Sequence, residues 1–227
     1  MRRQVALLAT SALALAIAGC AQTVPGAAVF NPGQAVSGLL PADADRVLLG
    51  AADVSDIVGA KLQIDADRFR PIVGSSAAPS CSALDAVGMS AFVGDSWSKF
   101  HVLLFTDGDR HRQVVAEAVA VYPDAAAAEA VFSAAADGAK SCDGQRALGT
   151  GGDAAWSFTV PAVDADAMRW RKQQIGIPLN WVCHGEARLR SNAVLQVMAC
   201  RGDDSGRTTV TRLSDRMSAT VWELSDR

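Results

Sequence analysis

The sequence predicts an α+β domain, an antiparallel sheet packed with helices and held by two disulfides. Three observations carry that expectation. Strand-length segments rich in Val and aromatics are joined by turn chemistry, without the strict strand–helix alternation of a parallel βαβ sheet. Two segments carry helix signals, one Ala-rich and one closing the chain with a single apolar stripe. Behind an export signal lie four further cysteines, an even number that an oxidising compartment pairs.

The chain opens MRRQVALLATSALALAIAGC. Arg2 and Arg3, an apolar run from Val5 to Gly19 and small residues before Cys20 have the layout of a secretory signal. The run is shorter than the about 20 apolar residues of a membrane span. A Cys directly after the small-residue pair resembles the lipobox of bacterial lipoproteins. Residues 1–19 are therefore expected to be a signal peptide, and Cys20 the acylated (palmitate-bearing) N-terminus. Cleavage there removes Arg2 and Arg3 and no acid, which takes the formal charge from −3 to −5. An acidic domain is expected to have no footprint for nucleic acid and no basic patch for anionic headgroups, so membrane attachment is assigned to the lipid alone.

Residues 20–40 comprise Cys20 and a tether of Pro, Gly and small residues without charge. The domain proper is expected over residues 41–227. VLLGAADVSDIVGAKL reads as a short apolar strand or turn, then a small helix stopped at Gly59. PSCSALDAV is a second short helical segment and carries Cys81. WSKFHVLLFT and HRQVVAEAVAVY are two strands flanking Asp107-Gly108-Asp109, a hairpin signal. Pro123-Asp124 opens AAAAEAVFSAAADGAK, a helix that delivers Cys142 just beyond its end. GTGGDAAWSFTV and AMRWRKQQIG are further strands, with the turn at Pro161 to Asp166. A hairpin, WVCHGEARLRSNAVLQVMACRG, follows. The closing helix runs from about Arg207 to Leu224, with Val210, Leu213, Met217, Val221 and Leu224 forming one stripe.

Register resolves the cysteines. With Ser191-Asn192 as a two-residue turn, Arg190 faces Ala193, and counting outward puts Cys183 opposite Cys200 at a non-hydrogen-bonded position. Cα atoms there lie roughly 4.5 Å apart, within reach of a disulfide. The bridges are then Cys183–Cys200 and, from the remaining cysteines, Cys81–Cys142. The same register turns His184 to the opposite face from Cys183, as a half-exposed strand histidine.

Other chemistry is weakly supported. His101, His111 and His184 form no pair at metal-ligand spacing, so no metal and no cofactor are expected. GDSW at Gly94 to Trp97 has the Gly-Asp-Ser block of an esterase family, but no His follows His184 to complete its C-terminal Asp-x-x-His. GTGGD at Gly149 to Asp153 lacks the strand-to-helix context and the Lys of a phosphate loop. RGD at Arg201 to Asp203 reads as a hairpin exit. The tryptophans are expected mostly in the core, with Trp97, Trp156 and Trp170 as candidates to line an apolar or sugar-like ligand site.

The ordered Cys and Trp positions of WVCHGEARLRSNAVLQVMAC, with LLGAADVSDIVGA, CSALDAV, GDSWSKFHVLLF, VAEAVAVYPDAAAAEAVF and KSC upstream, resemble the PknH-like extracellular sensor domain. Mycobacterial envelopes carry this domain on a receptor kinase and on stand-alone lipoproteins. The resemblance covers roughly Leu39 onward. It implies an α+β domain with a ligand cleft and the same two bridges that register yields. A kinase half and a spanning helix are not part of this sequence, so no phosphorylation is expected of it. The family's hairpin turn has paired asparagines where Ser191-Asn192 stands here.

The combined expectation is a lipoprotein on the extracytoplasmic face of the cell membrane. Its non-catalytic sensor domain would capture a small molecule, lipid, glycan or envelope protein in a cleft. The alternatives are a hydrolase acting on cell-wall or lipid substrates and a purely structural or adhesion module. A His or a carboxylate pair gathered in the main pocket would favour the hydrolase, an apolar or aromatic lining the binder.

Overall fold

The computed structural model describes residues 38–74, 79–108, 112–148, 155–176 and 181–226. The expected signal peptide, Cys20, the tether up to residue 37, His111 and the GTGGD stretch lie outside them. Among the described residues eight strands form one sheet: β1 Gln63–Arg68, β2 Lys99–Thr106, β3 Gln113–Val121, β4 Arg146–Leu148, β5 Ala155–Val163, β6 Ala167–Ile175, β7 Val182–Arg190 and β8 Ala193–Arg201. Their spatial order is β1-β2-β3-β8-β7-β6-β5-β4, antiparallel throughout. The α+β class and the antiparallel sheet are as the sequence predicts.

Helices cover both faces. On one lie the 3₁₀ segment Pro79–Leu84, α2 Ser90–Val93 and α3 Ala125–Cys142; on the other lie the 3₁₀ segment Pro41–Arg46, α1 Ala51–Val58 and α4 Gly206–Ser225. Each face has its own apolar core, so β3, β7 and β8 are buried on both sides. That double cover explains their near-continuous apolar sequences. It also corrects the expectation for His184, which is buried beneath α4 rather than half exposed.

Local chemistry accounts for the helix ends. The Asp124 carboxylate accepts the Ala127 N–H at 2.8 Å, capping α3 after Pro123. Cys142 is the last residue of that helix rather than one beyond it. Helix α1 stops at Gly59 in the left-handed conformation. In α4 the expected stripe of Val210, Leu213, Met217, Val221 and Leu224 is buried. Gly206 lets its first turn settle on the sheet, because a Cβ there would lie 3.0 Å from the Ala199 carbonyl oxygen and 3.4 Å from the His184 ring.

The central hairpin has the predicted register, Arg190 facing Ala193 and Cys183 facing Cys200. The Cys183–Cys200 bridge spans Cα atoms 3.9 Å apart, and Cys81–Cys142 joins the 3₁₀ segment to the end of α3 across 4.9 Å. At the turn only Ser191 has positive φ, 53°, the II′ pattern and not the I′ pattern with both residues positive. Asn192 serves another purpose. Its buried side chain accepts the Leu39 N–H at 2.7 Å and donates to the carbonyls of Leu39 (3.1 Å) and Tyr122 (2.9 Å), clipping the chain entrance to the hairpin tip. Leu39, expected in the tether, is consequently buried in the domain.

Three further differences have simple causes. Pro161 lies within β5, where the register to β6 shifts between Thr159 and Ala162; a bulge accepts a residue without an N–H. β1, Gln63–Arg68, was not anticipated because a mostly exposed edge strand rich in acids has no apolar alternation. The apolar stretch before α1 forms no strand.

Candidate functional site

Helix α4 packs on β7 and β8, and the sheet continues past it into β6 and β5. The angle between the start of α4 and the β5–β6 hairpin is a cleft of about 410 Å³. Strand alternation decides what lines it. In Arg169-Trp170-Arg171 the two arginines project to the α4 face and Trp170 to the disulfide face. His184 and Glu186 on β7 project to the α4 face, with Gly185 between them. Arg207, Val210 and Thr211 border the cleft from the helix.

The floor is rigid for a packing reason. Trp170 faces Gly185 across the β6–β7 ladder. A Cβ on Gly185 would lie 2.1 Å from the Trp170 ring, so the indole lies directly on the glycine backbone. Next to this pair, on the same face, is the Cys183–Cys200 bridge, with Lys172 facing Cys183.

Charges in the cleft are organised around two carboxylates. Glu186 is 1% exposed and accepts from Arg169 Nε at 3.1 Å and Arg188 Nε at 2.5 Å. Arg188 in turn reaches Asp215 of α4 at 2.8 Å. Asp204, in the loop before α4, accepts from Arg171 Nε at 3.2 Å and pairs with His184 Nε2 at 2.9 Å. Hydrogen bonds from His184 and Arg171 hold the Asp204 carboxyl below the usual carboxylate range. Burial pushes the His184 imidazole below its ordinary value, against the pull of Asp204 and with help from the positive charges of Arg207 and Arg171. Next to an ionised Asp204 the neutral ring donates from Nε2. Among the described residues no hydroxyl or thiol is hydrogen-bonded to that ring.

Of the tryptophan candidates, Trp170 alone borders the cleft, and its ring belongs to the core of the opposite face. Trp156 is buried in that same core under the Lys172 ammonium, which sits 4.4 Å from its ring centre. Trp97 is partly buried against Phe100. Trp222 is exposed on α4. The cleft wall is thus charged rather than aromatic. Gly94 to Trp97 links α2 to β2, and Arg201 to Asp203 leaves β8 toward α4. Among the described residues no cluster of His, Cys, Asp and Glu suits a metal ion.

Sequence reasoning passed over Arg169, Arg171 and Arg207, since a net acidic chain hid a local basic cluster. The Arg-Trp-Arg alternation was the available signal, because residues two apart on a strand share a face. Two buried charges were also missed. Lys172 Nζ donates to the Asp85 carbonyl and to its carboxylate at 3.1 Å. Glu117 lies fully buried on β3. A second, apolar cavity of about 150 Å³ opens on the disulfide face, walled by Ile72, Val87, Val102, Leu104 and Met198.

Comparison with known proteins places this architecture. No curated protein sequence matches the chain. Among solved structures it is similar to the crystal structure of the extracellular domain of PknH from Mycobacterium tuberculosis, at 18% identity and a TM-score of 0.74. That match covers 83% of this chain and 99% of the other and shows a shared fold. The family model described as PknH-like extracellular domain matches residues 39–220, most of the sequence. The chain belongs to the PknH-like extracellular domain family.

Proposed function

We propose that this protein is a lipid-anchored envelope protein whose extracytoplasmic domain captures a ligand in the cleft beside α4 without transforming it. The observation that carries the reading is the cleft itself. Charged side chains from β6, β7 and the loop before α4 are fixed by mutual hydrogen bonds on a floor stiffened by Trp170 and the Cys183–Cys200 bridge. Donors held in place before a ligand arrives lose less freedom on binding. Family membership supports an extracytoplasmic location. The lipobox-like sequence ending at Cys20 supports the anchor.

Native mass spectrometry of the full chain purified from its own envelope tests capture. A bound small molecule is expected, and Thr211→Trp, which fills the cleft from α4, should remove it. A chain that carries nothing, or an adduct retained in T211W, refutes the reading. Intact mass should place the mature N-terminus at acylated Cys20; an unmodified N-terminus elsewhere removes the anchor.

His184 in the cleft, paired with Asp204 beside it, supports a hydrolase by the criterion set above, since a neutral imidazole oriented by a carboxylate is a general base. It stands second because among the described residues no hydroxyl or thiol is hydrogen-bonded to that ring as a nucleophile. Hydrolysis of p-nitrophenyl esters by the full chain, lost in His184→Ala, would establish it. Equal rates in the two proteins would dismiss it.

A further inference from the structure

Hydrogen-bond capacity in the cleft is unequally used. Both carboxylates are paired, Glu186 through both oxygens with Arg169 and Arg188, and Asp204 through Oδ1 with Arg171 and His184. The guanidiniums retain open donors. Among the described residues Arg169 donates from Nε alone, Arg171 from Nε to Asp204 and from one Nη to Gln173, and the exposed Arg207 has no hydrogen-bond or ion-pair partner. A cationic ligand would find no unpaired carboxylate. A neutral one could accept single hydrogen bonds from the guanidiniums but would leave the charge of Arg207 uncompensated.

Resting on the capture reading above, we propose that the cleft takes a ligand through an oxyanion, a phosphate or carboxylate group, bound by Arg171 and Arg207 with Arg169 at the rim. The planar fork of a guanidinium matches two oxygens of such a group, and its charge strengthens each hydrogen bond. Arg171 and Arg207 both line the cleft with His184, and both oppose its protonation. An anion placed there offsets both. The imidazole then becomes easier to protonate, a signature that distant surface binding would not produce.

The test uses the full chain in neutral detergent near neutral pH, titrated with inorganic phosphate, with glucuronate and with glucose as the uncharged counterpart. Phosphate and glucuronate should bind and glucose should not, and added sodium chloride should weaken binding. Arg207→Ala, which removes an exposed side chain without a partner among the described residues, should weaken binding about tenfold. Arg171→Ala/Arg207→Ala should weaken it by about a hundredfold. Sulfate, which does not titrate in this range, should raise the His184 pKa followed by NMR. Short-chain phosphatidylglycerol added to the same detergent solution identifies the source: competition with phosphate for the protein marks a lipid headgroup, and phosphate binding that it does not displace marks a soluble anion.

Glucose bound as tightly as glucuronate, anion affinity unchanged in both variants, or no binding of phosphate and glucuronate overturns the inference. Failure of the capture reading looks different, because there the native chain carries no adduct or T211W retains it.

Discussion

Glu117 offers the sharpest test of the energetics of this fold. It sits in the middle of β3 facing the α1 and α4 side, fully buried, with Oε1 accepting the Leu49 N–H at 2.9 Å and Oε2 without a partner among the described residues. Burial pushes its pKa from 4.5 up to about 8, against the lowering effect of the Leu49 hydrogen bond and with a smaller push from Asp53. Between those values the folded protein holds a proton that the unfolded chain has released. Stability therefore falls as pH rises through the window, and Glu117 adds no slope below about 4.5 or above about 8. At 1.36 kcal/mol per pH unit, a shift of about 3.5 units makes the full loss about 5 kcal/mol, an upper value because water drawn to the ionised group lowers it. Glu117→Gln keeps the acceptor for Leu49 and removes the titration. Urea unfolding of both proteins at several pH values from acid to mildly alkaline should show Glu117→Gln gaining on the wild type by several kcal/mol across the window. Parallel stability curves would refute the reasoning. The comparison is made between proteins because His184, whose pKa is lowered, contributes the opposite slope in both: the fold disfavours its protonation, so stability is lost as pH falls below about 6.5.

Three other outcomes follow from the packing. Gly185→Ala should destabilise by about 3 kcal/mol or more and change Trp170 fluorescence, because a Cβ 2.1 Å from the indole forces one of them to move; wild-type stability and emission would contradict the close approach. Asp85→Ala should cost about 3–5 kcal/mol by leaving the Lys172 ammonium buried and unpaired, whereas Asp85→Leu/Lys172→Met should recover most of the loss in the same denaturation assay. Replacing both cysteines by Ala should cost about 3 kcal/mol for the 183–200 bridge and about 4 kcal/mol for the 81–142 bridge, from chain separations of 17 and 61; the reverse order in thermal melts would argue against an entropic origin.

What was legible in the sequence was whatever has a short-range period. The Ser191-Asn192 hairpin carries its register in turn chemistry, the closing helix carries its stripe, and both could be placed to within a residue or two. The cleft has no such signal because its walls come from β6, β7 and the start of α4, and only tertiary packing decides where a helix stops covering a sheet. Half of it was nevertheless visible as Arg169-Trp170-Arg171. Glu117 was visible too. In Gln-Val-Val-Ala-Glu-Ala-Val-Ala-Val both faces of the strand are apolar, which requires a strand covered on two sides and an acid buried whichever way it points. The misplacement of His184 has the same origin, since a sheet with one open face would have left it half exposed.

The β6–β7 pair shows how one alternation can serve two purposes. Trp170, Lys172, Cys183 and Gly185 share the disulfide face; Arg169, Arg171, His184 and Glu186 share the cleft face. A side chain on one face is thus never more than one residue from a constraint on the other. The indole on Gly185 and the bridge at Cys183 limit the backbone from which His184 and Glu186 project, so the spacing of the charged groups is set from behind the sheet. A Cys-His neighbour pair is here a division of labour rather than a reactive dyad: Cys183 fixes the strand, and His184, turned the other way, meets Asp204 and the arginines where a ligand would arrive.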